Sequence, residues 1–106
     1  MGKSSRDKGK RGELMVAHFL KDFGYDARRG QQFAGANGDA DVVGLPGIHI
    51  EVKFVERLDL LGAYAQSCRD AREGEIPTVW HKKSRKPLLV TIGAEDFMRL
   101  YAEAMP

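Results

Sequence analysis

Cysteine is nearly missing from this chain: Cys68 is the only one in 106 residues. That excludes an internal disulfide and a cysteine-built zinc cluster, and leaves a reduced, partly buried thiol as its expected state. Histidine is scarce too, and His18, His49 and His81 share no zinc-ligand spacing. No apolar run reaches the roughly 20 residues that a membrane helix needs. The charged opening MGKSSRDKGKR lacks the apolar segment of a secretory signal. The expectation is a cytoplasmic protein with no membrane partner. Internal repeats and low-complexity tracts are also missing. What remains, 42% hydrophobic and 30% charged, suits one compact domain over residues 1–106 with a basic, flexible N-terminal segment over 1–7.

A large excess of one charge sign is absent as well, the net charge being only +2. Its distribution is uneven, and distribution is what a polyanion feels. Lys3, Arg6, Lys8, Lys10 and Arg11 load the N-terminus, and Lys82, Lys83, Arg85 and Lys86 crowd one turn. Either block alone reads as solvated surface. Together with Arg28 and Arg29 they point to nucleic acid.

Over residues 7–23, Leu14, Ala17 with Val16, Leu20 and Phe23 recur at helical spacing, and Gly24 follows as a stop. YDARR reads as a short strand and GQQFAGANG as a loop. ADVVGL and IHIEVKFV are β-branched runs around Pro46 and Gly47, the pattern of an antiparallel hairpin. In the second arm Ile48, Ile50, Val52 and Phe54 alternate with His49, Glu51 and Lys53, so one set faces a core and the other faces outward. Residues 60–72 predict a second helix with Leu61, Tyr64, Ala65 and Cys68 on one side. IPTVWH and PLLVTI predict two strands, and EDFMRLYAEA a third helix whose Phe97, Leu100 and Tyr101 stripe covers the sheet or a partner. Helix, three strands, helix, two strands, helix makes an α/β protein with a mixed sheet and helices packed on it.

The hairpin carries the chemistry. A two-residue Pro46-Gly47 loop sets Asp41 opposite Val52. A three-residue connection, or one β-bulge, shifts the register by one and sets Asp41 opposite Glu51, with Asp39 opposite Lys53; this offset is the one expected. The two carboxylates then lie roughly 5 Å apart at Cβ and repel unless a cation intervenes. Oxygen donors without clustered histidine or cysteine suit Mg²⁺, with Mn²⁺ possible, and such ions also accept phosphate oxygens. Lys53 on the same face would position or deprotonate an attacking water, or stabilise charge on a phosphate. The bland alternative for Glu51 and Lys53 is a solvated ion pair on a strand. An Asp41 that opens an apolar run weighs against it.

Asp41, then Glu51-Val52-Lys53 in the next strand, resembles the PD-(D/E)xK nuclease superfamily, and KGKRGELMVAHFLKDFGYDARR and GEIPTVWHKKSRKPLLVTI resemble the flanks of its Holliday-junction-resolvase branch, of archaeal and small phage proteins. The resemblance runs from about Lys8 to Ile92. It implies a restriction-endonuclease-like core, a central mixed five-stranded sheet flanked by helices, in a single nuclease domain. It also implies a homodimer that cuts branched DNA in recombination or repair, in a bacterial cell or phage-infected host. By the same resemblance Asp41, Glu51 and the Val52 carbonyl are metal ligands. Glu13 is a third carboxylate for a second ion or a bound water, or else a surface glutamate beside Lys10 and Arg11. Lys3, Arg6, Lys8, Lys10, Arg11, Arg28, Arg29, Lys82, Lys83 and Arg85 would bind DNA, and Gln31, Gln32 and Phe33 would lie where a wedge enters a junction. Ala40 replaces the proline of the superfamily name, which leaves Asp39 a rival to Asp41. A stand-alone VRR-NUC-like nuclease, with Gln66 as its helix glutamine, is one alternative. The other is a non-catalytic DNA-binding module of the same fold.

Overall fold

The structure, a computed structural model, describes residues 2–31 and 40–106, with side chains from Lys8 onward. Asp39, Gln32 and Phe33 lie outside the described residues. The elements are α1 (Gly2–Asp22), β1 (Arg28–Arg29), β2 (Val42–Val43), β3 (Ile48–Lys53), α2 (Leu60–Asp70), β4 (Ile76–His81), β5 (Leu89–Ile92) and α3 (Ala94–Ala104). The strands lie side by side in chain order, antiparallel throughout except for the parallel pair β3 and β4, which α2 connects. This is the mixed five-stranded α/β architecture that the order of apolar patterns predicts. Among the described residues no helix is long and apolar enough to cross a membrane.

Helix α1 ends where Gly24 takes a φ of +94°, which a side chain would resist. The Tyr25 N–H donates to the Leu20 carbonyl at 3.2 Å and the Gly24 N–H to the Lys21 carbonyl at 2.9 Å, a Schellman closure that satisfies two terminal carbonyls. At its other end the helix reaches back to Gly2, beyond the expected start near Asp7; its polar first turns carry no apolar periodicity by which the sequence could show them. Val16, Ala17 and Leu20 bury against Val42, Ile50, Val52 and Trp80 to form the core. Leu14 and Phe23, expected in the same stripe, are exposed at its margins.

The face of β3 expected to point outward is covered. His49 and Glu51 are only 3% and 4% exposed. The cause is the parallel crossover: it lays α2 on β3 and β4, on the side opposite α1, so both faces of the central strands are dry. The buried positions of α2 are Ala63 and Ser67, small enough for close approach, and the Ser67 hydroxyl donates to the Thr78 carbonyl at 2.9 Å. The stripe predicted for this helix is therefore misplaced. Leu61 is 82% exposed and Cys68, expected to be partly buried, is exposed.

Candidate active site

Two local devices set the hairpin register. At its tip the Ile48 N–H donates to the Leu45 carbonyl at 3.2 Å, with Pro46 and Gly47 between them and Gly47 at φ +81°, the requirements of a type II turn. At its open end Val42 pairs with Ile50, while the Asp41 N–H donates to that same Ile50 carbonyl at 3.1 Å. Two residues of one strand thus meet one of the other, as in a β-bulge. The Val42–Ile50 register sets Asp41 beside Glu51, which is the expected offset.

Asp41 is held from both neighbouring strands. Its Oδ2 accepts from the Val52 N–H at 2.8 Å, and its backbone carbonyl accepts from the Gly30 N–H at 2.9 Å. Burial, and next the Glu51 carboxylate, raise the Asp41 pKa from 3.8 to about 7. The Val52 N–H opposes the shift, while the charge of Glu13 and a hydrogen bond with Glu51 add to it. Glu51 in turn lies 2.9 Å from His49 Nε2. Burial pulls the His49 pKa down, but the hydrogen bond and charge of Glu51, then the charges of Glu75 and Asp70, leave it raised.

Glu13 projects from α1 towards this pair but turns its Oε1 to Arg29 Nε, 2.9 Å away. Among the described residues no three acidic, histidine or cysteine side chains converge into a ready cage for an ion. Lys53 is half-buried at the end of β3, and its carbonyl accepts from the Lys82 N–H at 3.2 Å. That bond brings the turn carrying Lys82, Lys83 and Arg85 to the lysine end of the strand.

The two basic blocks also meet. Lys8 of α1 lines a small cavity of about 70 Å³ with Phe54, Glu56, Lys82 and Lys83. Lys10, Arg11 and Arg85 are exposed, and Lys3 and Arg6 belong to the first turns of α1. Arg28 is elsewhere, lining a cavity of about 350 Å³ with Gly44, His49, Arg72 and Glu75. Gln66 is half-buried on α2. Sequence reasoning missed His49 as a partner of Glu51, although their spacing on one strand face was the available signal.

The class is defined by a five-stranded mixed α/β sheet that sets a half-buried Asp41 beside the buried Glu51, with Lys53 at the strand end. The chain is similar to the solved structure of Hjc, a Holliday junction resolvase from the archaeal hyperthermophile Archaeoglobus fulgidus, at 26% identity and a TM-score of 0.55, over 80% of this chain and 72% of that one. The five-stranded sheet and its helices match the fold of that resolvase. No protein-family model and no curated protein matches the chain.

Proposed function

We propose that this protein is a metal-dependent, structure-selective endonuclease of the PD-(D/E)xK superfamily that resolves four-way or related branched DNA as a homodimer. The observation that carries the proposal is the Val42–Ile50 register that sets Asp41 beside the buried Glu51, two residues before Lys53, on a fold shared with a Holliday junction resolvase. The donor set fits a hard divalent ion: two adjacent carboxylates, one with a pKa raised to about 7, are a pair whose repulsion a cation relieves. Asp41, Glu51 and the Val52 carbonyl would hold Mg²⁺ or Mn²⁺, with Glu13 available for a second ion or a bound water. When bound, such an ion polarises the phosphodiester and lowers the pKa of water. Lys53 orients the attacking water or stabilises charge on the phosphate. Its ammonium at the strand end, two residues from Glu51, suits charge stabilisation at least as well as general-base action. Lys8, Lys82 and Lys83 give the phosphate backbone a common basic surface.

The test is cleavage of an end-labelled four-way junction beside linear duplex and single strand, in Mg²⁺, Mn²⁺ or EDTA. Symmetric, metal-dependent cuts confined to the junction are expected. Glu51→Ala should abolish them, and Lys53→Ala should slow them by on the order of 10²–10⁴-fold, the usual contribution of a positioned proton-transfer group. Cuts in duplex or flaps would keep the nuclease and discard the resolvase. Tight junction binding without cleavage in any metal would leave a binding module.

A further inference from the structure

We propose that His49 is a positioning residue for Glu51, holding one carboxylate oxygen so that the other is presented to the site; this rests on the function proposed above. His49 and Glu51 are among the least exposed polar side chains described, at 3% and 4%. Alternation along β3 puts both on the α2 face. A carboxylate buried there without a donor would carry the full desolvation cost. His49 supplies the donor, with Nε2 at 2.9 Å from Glu51 Oε1. An ionised carboxylate only accepts, so the proton of this bond belongs to Nε2.

The imidazole is itself anchored. Its Nδ1 faces Glu75 Oε1 at 3.8 Å, within ion-pair range but beyond a hydrogen bond. That same Glu75 oxygen accepts from the Arg72 N–H at 2.8 Å, which fixes it ahead of β4. The backbone of His49 is pinned from β4 as well, its carbonyl accepting from the Thr78 hydroxyl at 2.7 Å. Thr78 Oγ1 also accepts from Trp80 Nε1 at 3.0 Å, and the Thr78 carbonyl accepts from Ser67. The backbone of His49 is thus tied to the centre of the sheet, and its ring lies against the turn that precedes β4. A Glu51 free to rotate would lose its alignment with Asp41.

Partners that orient a metal ligand typically contribute about 10–100-fold in metal affinity. The experiment is calorimetric titration of the metal-free protein with Mn²⁺, without DNA, for the parent, His49→Leu, His49→Gln and Glu51→Gln. His49→Leu, which keeps the bulk and loses the donor, should weaken Mn²⁺ by about 10–100-fold. His49→Gln, whose amide can donate in the same place, should recover most of it. In cleavage, His49→Leu should lower kcat while KM for the junction holds. Long-range ¹H–¹⁵N correlation in the parent should find the proton on Nε2 of His49. A folded His49→Leu that binds Mn²⁺ like the parent overturns the role of His49 and leaves the nuclease standing. If His49→Leu does not fold, a bare Nε2 in the parent overturns it instead, as does a His49→Gln protein as weak as Glu51→Gln. A parent that binds no Mn²⁺ overturns the metal site itself.

Discussion

At the scale of single residues, the site sets two carboxylates side by side, where the charge of one opposes the charge of the other. Asp41 is clamped in place by the Val52 and Gly30 N–H groups, so it cannot retreat from Glu51. Burial and Glu51 raise its pKa from 3.8 to about 7. The fold therefore prefers the protonated form. Stability that is present below pH 3.8 is lost as pH rises towards about 7, in the absence of a divalent ion. Asp41→Asn keeps the acceptor for Val52 and removes the charge. Its stability in EDTA should match the parent near pH 4 and exceed it increasingly up to about pH 7, where the gap levels off. Urea denaturation across that range measures the gap, and a gap independent of pH would show that Asp41 is not so perturbed. Divalent ion should restore the parent selectively, because the ion needs the carboxylate that the variant lacks.

At the scale of elements, everything depends on a hairpin whose two glycines differ. Gly44 has a φ of +109°, and a side chain there would press on the Asp26 carbonyl oxygen and stand 2.7 Å from the Ala27 Cα. Gly47 has a φ of +81° with nothing within 4 Å of a would-be Cβ. Gly47→Ala should thus cost the left-handed penalty alone, roughly 1–2 kcal/mol. Gly44→Ala adds a backbone clash and should cost roughly 2–5 kcal/mol. Chemical denaturation compares them, and equal costs would contradict the close packing of β1 on the hairpin. The hairpin was legible in the sequence because Pro46-Gly47 and the alternation over Ile48–Lys53 are local signals. The offset of Asp41 was legible because only one register brings the two acids together. The burial of His49 and Glu51 was not, since it is made by α2 crossing from β3 to β4, and the Ile48–Ile76 pairing leaves no local trace. For the same reason Leu61 looked like core and Ala63 and Ser67 did not: in α2, smallness and not hydrophobicity marks the packed side.

At the scale of the molecule, helix α3 and the edge strand β5 leave an account open. An 11-residue helix is marginal in water by itself, and none of its residues is buried here. Phe97, Leu100 and Tyr101 lie along it, with the two rings 6.2 Å apart. Leu100 also lines an apolar groove of about 560 Å³ with Tyr25, Trp80, Val90 and Ile92, so the stripe continues onto the sheet. The proposed homodimer would cover this surface, and two symmetry-related cuts in one junction call for paired copies of the site. In a two-fold interface each substitution occurs twice, so Leu100→Glu would place two unpaired charges in the contact. That should cost roughly 3 kcal/mol or more, which is more than about 100-fold in Kd. Light scattering should find a dimeric parent and a monomeric Leu100→Glu with unchanged circular dichroism, while Leu61→Glu on the exposed side of α2 stays dimeric. A dimer that survives Leu100→Glu would place the contact elsewhere, and a monomeric parent that still makes symmetric cuts would require the junction itself to pair the copies.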